Sequence, residues 1–112
     1  MALGVASCSQ SPPTISVEEV EGTYRAASCP DIVIRGNLLL TPEGQTSYDL
    51  IRIKGDNILA TASTPRVDLN GRCDLVVVPQ PSYIAIYTNQ HGLTVDLSSL
   101  DRSKSVRYDK VD

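Results

Sequence analysis

The chain contains neither Trp nor Phe, and its only aromatic residues are five Tyr. A core without other aromatic rings must be filled by Val, Ile and Leu, of which Val and Ile favour strands. Hydrophobic residues form 41% of the 112 positions, which excludes wholesale disorder and corresponds to a single small domain. No run of residues approaches the ~20 consecutive apolar positions that a membrane-spanning helix requires.

The chain also has fewer basic than acidic residues: it contains 10 Lys and Arg and 13 Asp and Glu, which gives a net charge of −3. A protein that binds nucleic acid non-specifically carries a basic excess, so we expect no nucleic-acid partner. His91 is the single histidine, and the three cysteines are widely spaced. Metal sites usually bring their ligands in close pairs, so we expect neither a metal site nor a cofactor.

Sequence signatures of catalysis are missing as well. The chain has no phosphate-binding loop, no nucleophile elbow and no dinucleotide-binding glycine motif. His91 lies in the turn-like segment NQHG, where a solvated residue is the default. Glu18, Glu19 and Glu21 lie at a predicted helix start, where acidic side chains interact favourably with the helix dipole. We therefore expect a protein that is not an enzyme.

The three cysteines are Cys8, Cys29 and Cys73, an odd number that indicates one disulfide and one remaining thiol. Cys29 and Cys73 flank the predicted core and are the natural pair, whereas Cys8 lies in a flexible leader. In the chain-entropy model, a disulfide that closes a loop of this length stabilises the fold by about 4 kcal/mol. The alternative is a pair of reduced, buried cysteines in a cytosolic protein.

The order of local patterns predicts an all-β domain. Residues 1–15 show no periodicity, and SQSPPT within them is typical of a linker. Ser16 and Glu19 have the spacing of a capping box, and Gly22 can end the turn, which predicts one short helical turn. About eight or nine short strands follow, with turn residues every ~8–12 positions. We expect a mostly antiparallel small barrel or sandwich of about eight strands over residues 16–112.

Two details of the strand pattern concern neighbouring segments. Residues 31–42 are predicted to form a single strand, because apolar residues recur with strand spacing on both sides of Gly36, and a bend or a close backbone approach is expected at that glycine. In the next strand the apolar phase shifts between Leu50 and Ile51, which predicts a bulge.

Asn70-Gly71 marks a hairpin further along the chain. A three-residue loop over residues 69–71 places Arg66 opposite Asp74 on one face, and Val67 opposite Cys73 on the other. This arrangement of charged and apolar pairs is the one that cross-strand pairing favours.

Binding is the remaining class of function. The inward strand positions are mostly aliphatic, which predicts a filled interior and leaves binding to loops or to an open face. The candidate loops are residues 79–83, 89–92 and 98–104. The candidate binding residues are Tyr83, Tyr87, Asn89 and His91. The alternative is a barrel that carries a small apolar ligand, as lipocalins do.

Val5-Ala6-Ser7-Cys8 resembles the lipobox of bacterial lipoproteins, in which an aliphatic residue and two small residues precede the lipidated cysteine. The resemblance implies a lipid anchor on Cys8 and a linker between membrane and domain. Ser9 resembles the residue that directs Gram-negative lipoproteins to the outer membrane. Seven uncharged residues precede Cys8, fewer than a signal peptide needs, which leaves open a longer start upstream or a chance match.

The segment VEGTYR, residues 20–25, resembles the opening strand of small bacterial lipocalin-like envelope proteins, although those usually have Trp where Tyr24 stands. Residues 93–97 and 105–111 resemble their closing strands. Members of that family include envelope inhibitors of proteases and lysozymes, and immunity lipoproteins against toxins. The resemblance implies a periplasmic lipoprotein, anchored in the outer membrane, that binds a protein partner as an inhibitor, immunity protein or assembly factor.

Overall fold

The computed structural model describes residues 13–90 and 92–111. Cys8 and the rest of the leader through residue 12 lie outside the described residues, as does His91. Within the described part, one short helix precedes ten strands. The elements are α1 (Val17–Val20), β1 (Gly22–Arg25), β2 (Ile32–Arg35), β3 (Leu38–Thr41), β4 (Gly44–Ile53), β5 (Asp56–Thr61), β6 (Thr64–Asp68), β7 (Asp74–Val78), β8 (Ser82–Asn89), β9 (Gly92–Ser98) and β10 (Ser105–Lys110).

Eight of the strands close into a barrel in the order β1-β10-β9-β8-β5-β4-β3-β2. The neighbouring strands are all antiparallel; six of the pairs are consecutive in sequence, and the pairs β1–β10 and β5–β8 join strands that are distant in the chain. β6 and β7 form a separate two-stranded hairpin, inserted in sequence between β5 and β8. The predicted all-β, antiparallel fold is confirmed, and of the two expected architectures the barrel is the one observed.

The predicted N-terminal helical turn is confirmed as α1, and its capping box forms. The Ser16 hydroxyl accepts the backbone N–H of Glu19, and the Glu19 carboxylate accepts the backbone N–H of Ser16 at 2.9 Å. Val20 is fully buried, and its carbonyl accepts a 2.6 Å hydrogen bond from the Tyr24 hydroxyl. These contacts fix the helical turn against β1, the first strand of the barrel.

Residues 31–42 do not form one strand, so that prediction is wrong. β2 and β3 are the arms of a tight hairpin in which Arg35 pairs with Leu38 across a two-residue turn. Gly36 has a φ of 58°, as the first residue of a type II′ turn has. The apolar pattern is similar on both sides of the glycine, so the pattern does not distinguish a bent strand from a reversal. The reversal makes Leu39, rather than its neighbours, the buried residue of β3.

The predicted bulge at Leu50 and Ile51 is also wrong, because β4 and β5 pair without interruption through this region. The shift of apolar phase has a different cause. Ile51 lies opposite Ile58 on the outer face of the barrel, and both side chains are half-buried there. The turn between the strands is Lys54-Gly55, whose φ values of 51° and 87° are both positive, as in a type I′ turn.

β6 and β7 pair in a different register from the one predicted. Val67 lies opposite Leu75, and residues 69–73 form a five-residue connection instead of a three-residue loop. Val67 and Leu75 are 0% and 1% exposed, so this register places an apolar pair in the core. The expected pairing of Arg66 with Asp74 does not form, since Asp74 lies opposite Asp68. Apolar burial outweighs the unfavourable pairing of two exposed or half-exposed carboxylates.

The predicted Cys29–Cys73 disulfide is present, with the two Cα atoms 4.9 Å apart. Cys73 lies in the β6–β7 connection rather than opposite Val67, and Cys29 lies in the loop between β1 and β2. In the β9–β10 loop, Leu100 donates its backbone N–H to the Val67 carbonyl at 3.0 Å. Both loops leave the same end of the barrel, so β6 and β7 lie across that end and are named here the cap hairpin.

The inward side chains of the strands fill the barrel and continue into the cap hairpin. The buried hydrophobic residues are Val20, Tyr24, Ala26, Ile32, Ile34, Leu39, Tyr48, Leu59, Val67, Leu75, Ile84, Ile86, Val95, Leu97 and Tyr108. Ile15, Leu50, Leu93 and Val106 pack against them and are partly buried. Side chains therefore occupy the interior, and the surfaces open to a ligand are the outer face and the two ends.

Candidate functional site

A groove lies on the outer face of the barrel, where β4, β5 and β8 run side by side. Its volume is about 540 Å³. The outward-facing residues that line it are Ser47, Asp49, Ala60, Ala62, Pro81 and Tyr83. We name it the Tyr83 groove.

The strand registers explain why a groove forms here. Asp49 pairs with Ala60, and Ala60 pairs with Tyr83, so the three residues form one row across three strands. Neighbouring strands are about 4.8 Å apart, which separates the outer two backbones by about 10 Å. Between them stands only the methyl group of Ala60, and Ala62 continues the same low floor. The walls are therefore a carboxylate on one side and an aromatic ring on the other.

Tyr83 is the one exposed tyrosine among the five, all of which lie in the described part. Its side chain is 67% exposed, whereas Tyr24, Tyr48 and Tyr108 are between 0% and 3% exposed, and Tyr87 is half-buried. An aromatic ring left in water exposes apolar surface that a partner can cover at a gain in free energy. Its exposure thus distinguishes Tyr83 from the tyrosines that have a structural role. The strand pattern of the sequence alone does not make this distinction.

The described residues give the Tyr83 groove a single formal charge. Asp49 is the one charged residue among those that line it, and none of them is Lys or Arg. Within residues 13–90 and 92–111, neither the Asp49 carboxylate nor the Tyr83 hydroxyl has a hydrogen-bond or ion partner. Both groups are therefore available to a ligand without breaking an existing contact.

The wall of the groove beside β4 is held from beneath by Tyr48. Its backbone N–H donates to the Asn37 carbonyl at 3.0 Å, and its hydroxyl donates to the Gly36 carbonyl at 2.7 Å. Burial, with the nearby Glu21 carboxylate as a second cause, raises the pKa of the Tyr48 hydroxyl above its usual value. This tyrosine stays neutral and fixes the β2–β3 turn against β4, so the groove has a rigid side.

The other predicted binding residues do not line this groove. The Tyr87 hydroxyl donates to Asp96 Oδ2 at 2.8 Å, and that hydrogen bond is the main cause of a raised pKa for Tyr87. Arg107 Nε lies 3.7 Å from Asp96 Oδ1, so side chains from β8, β9 and β10 form a polar cluster. Asn89 ends β8, half-buried and with a contact of its own. His91 lies outside the described residues.

Two further grooves lie at the ends of the barrel. One, of about 370 Å³, is formed where residues 13–15 cross the end opposite the cap hairpin, between Asn57, Ile86 and Leu93. Asn57 Nδ2 donates to the Pro13 carbonyl at 3.0 Å and holds the chain there. The other, of about 250 Å³, lies between the cap hairpin and the β9–β10 loop, which is the predicted candidate loop 98–104.

The described residues place no three His, Cys, Asp or Glu side chains where they could together hold a metal ion. The same residues contain no helix that is long and apolar enough to cross a membrane. The Tyr83 groove can bind a ligand by stacking on the Tyr83 ring, by ionic attraction to Asp49 and by hydrogen bonds.

Sequence reasoning identified Tyr83 but missed Asp49 and the two alanines of the floor. The pairing of Asp49 with Ala60 follows from the local Lys54-Gly55 turn, so a correct register for that hairpin would have found it. The pairing of Ala60 with Tyr83 joins β5 to β8 across the inserted cap hairpin, and no local pattern predicts it.

No protein-family model matches the chain, and no curated protein and no solved structure matches it either.

Proposed function

We propose that this chain is a non-catalytic protein-binding module of the bacterial cell envelope, an inhibitor, immunity protein or assembly factor anchored through Cys8. The observation that carries the proposal is the Tyr83 groove. There a 67% exposed aromatic ring lies across the groove from a carboxylate that has no partner among the described residues, on the outside of a barrel whose interior is filled. Tyr is enriched at protein interfaces, because its ring buries a large area while its hydroxyl stays hydrogen-bonded.

Three observations support the envelope location. The Cys29–Cys73 bond is of the kind that persists in oxidising compartments such as the periplasm. The resemblance of Val5-Ala6-Ser7-Cys8 to a lipobox supplies an anchor, and a barrel of eight strands is compatible with the lipocalin-like resemblance. Anchoring is tested by detergent-phase partition of the native gene product, which the substitution Cys8→Ser should abolish.

Capture from envelope extracts tests the binding function. The immobilised protein should retain a defined partner that also binds when purified, and Tyr83→Ala should lose it. Leu100→Ala is the matched control, because Leu100 is 44% exposed but does not line the Tyr83 groove. Retention that is the same for both variants, or no reproducible partner, would overturn the proposal.

One observation favours the alternative, a carrier of a small apolar ligand. The groove between Pro13, Ile15, Ile86 and Leu93 is mostly apolar and opens at the uncapped end of the barrel. Native mass spectrometry of gently purified protein decides between the two functions. A bound small molecule that Leu93→Asp displaces would favour the carrier, and ligand-free protein would favour the binding module.

A further inference from the structure

We infer that the Tyr83 groove binds an arginine side chain of the protein partner, with the guanidinium stacked on Tyr83 and paired with Asp49. The inference rests on the proposed function, because it names the chemistry of the partner at the same groove. It follows from the charge, the shape and the free hydrogen-bonding groups of the groove, taken in turn.

The charge of the lining determines whether the groove favours a cationic or an anionic ligand. Asp49 is the one charged residue of the lining, and its carboxylate has no partner among the described residues. A carboxylate or phosphate group would be repelled there, and nothing basic in the lining would offset the repulsion. A cation, in contrast, gains an ion pair without displacing an existing one.

Shape favours a flat cation over a compact one. The floor consists of Ala60 and Ala62, and the Tyr83 ring rises on one side with about 10 Å between the flanking backbones. A planar guanidinium can stack on an aromatic ring and also direct two N–H groups at one carboxylate. A lysine ammonium is compact and strongly hydrated, and it cannot stack in this way.

A neighbouring acceptor completes the site. Ser47 is one of the outward-facing residues of the lining, and its hydroxyl can accept a remaining guanidinium N–H group. Ile51 and Ile58 form a half-buried apolar pair on the same outer face, two residues along the strands from the Asp49–Ala60 row. The methylene stem of an arginine, or an apolar residue beside it in the partner, would cover this pair.

Nuclear magnetic resonance with blocked arginine tests the inference directly. The full chain, labelled with ¹⁵N, is titrated with N-acetyl-arginine methylamide, and the citrulline compound serves as the neutral isostere. The expected result is a saturable shift of the amide signals of Asp49, Ala60 and Tyr83 with arginine, a weaker one with blocked lysine, and none with citrulline. Shifts elsewhere, equal shifts with citrulline or tighter binding of lysine would overturn the inference, as would no shift at all.

Matched variants test how much each wall of the groove, Asp49 and Tyr83, contributes to binding. Asp49→Asn should weaken binding of blocked arginine about fivefold, the upper range for an exposed ion pair. Tyr83→Ala should weaken it as well, whereas Tyr83→Phe keeps the ring and should bind as the native protein does. Asp56→Asn is the control, because Asp56 is exposed at the far end of β5. An equal loss in Asp56→Asn would show that net charge alone attracts the probe, and would overturn the assigned site.

The two proposals fail separately. If a partner is captured through Tyr83 but blocked arginine does not bind, the arginine inference is overturned and the binding function stands. If blocked arginine binds at Asp49 and Tyr83 but no protein is captured, the proposed function is overturned and the cation site stands.

Discussion

Tyr108 joins the barrel core to the β1–β2 loop through one hydroxyl group. The side chain is 0% exposed, and its hydroxyl donates to the Pro30 carbonyl at 3.0 Å. Burial, with the nearby Asp31 carboxylate as a smaller cause, raises the pKa of Tyr108 to about 12. Pro30 follows Cys29 in the chain, so this hydrogen bond holds the loop that also carries the disulfide.

The substitution Tyr108→Phe should lower the free energy of unfolding by about 1 kcal/mol, because the ring stays in the core while the Pro30 carbonyl loses its donor. Urea denaturation at neutral pH measures the difference. Tyr83→Phe is the control, since the Tyr83 hydroxyl has no partner within the described residues and its loss should change nothing. Equal effects of the two substitutions would contradict this account.

The raised pKa of the same hydroxyl predicts that folding stability decreases at alkaline pH. An unfolded tyrosine ionises near pH 10, whereas folded Tyr108 has a pKa of about 12. Between these values the unfolded state has released a proton that the folded state retains. The stabilisation that the Tyr108 hydroxyl contributes is therefore fully present below about pH 10 and is lost as the pH rises towards 12. In Tyr108→Phe, the free energy of unfolding should decline less steeply over that interval.

The β9–β10 loop is an element ordered by a single carboxylate. Asp101 Oδ1 accepts the Ser103 hydroxyl at 2.6 Å, the Ser103 backbone N–H at 3.0 Å and the Ser99 hydroxyl at 2.8 Å. These hydrogen bonds, the Ser103 hydroxyl first, lower the pKa of Asp101 to about 2. The ordered loop then presents the Leu100 N–H to Val67 and so attaches the cap hairpin to the barrel.

The lowered pKa of Asp101 predicts that the protein loses stability in acid. Because the folded pKa lies below the ordinary value, the unfolded chain takes up a proton near pH 4 while folded Asp101 stays ionised. Its contribution is therefore present above about pH 4 and is lost as the pH falls towards 2. In Asp101→Asn this part of the decline should disappear, while Tyr83→Phe, in which every carboxylate is intact, should keep the native slope.

Equilibrium unfolding measured between pH 2 and pH 5 provides the comparison. Asp31, whose pKa is lowered by its hydrogen bond to Arg25, is intact in both variants and accounts for part of the acid dependence that remains. Identical slopes for Asp101→Asn and the native protein would show that the carboxylate does not order the loop.

The elements that the sequence predicted well are those whose evidence is local. The capping box at Ser16 lies within four residues, and alternation within short segments gave the strands of the barrel. Gly36 was misread because a reversal and a bend have the same local pattern. The register predicted at Val67 is wrong because charge pairing favours one register and apolar burial favours another, and only the assembled core decides between them.

For the molecule as a whole, the disulfide links two distant parts of the chain. Cys29 and Cys73 are 44 positions apart and join the β1–β2 loop to the cap hairpin. Closing a loop of that length restricts the unfolded chain, and the chain-entropy model gives a stabilisation of about 4 kcal/mol. For a domain of this size that is a large part of the total stability.

Replacing both cysteines, Cys29→Ala with Cys73→Ala, should therefore lower the free energy of unfolding by up to about 4 kcal/mol in chemical denaturation. Reductant should reproduce the loss in the native protein and have no effect on the double variant. A double variant as stable as the oxidised native protein would contradict a stabilising role for the bond.

The candidate site shows where prediction from sequence ends. Tyr83 was identified because it lies at a predicted loop, but Asp49 and Ala60 become its neighbours only when β5 pairs with β8. That pairing bridges the whole cap hairpin and is decided by closure of the barrel. Exposure likewise separates Tyr83 from the buried tyrosines only in the folded chain.

The Tyr83 groove is thus a discontinuous epitope. Its two walls come from β4 and β8, and no peptide cut from one stretch of strand carries both. A partner that recognises the groove distinguishes the closed barrel from a nascent, unfolded or cleaved chain. Under the proposed function, the protein would become competent to bind only after folding is complete, and fragments left by its own degradation would not compete for the partner.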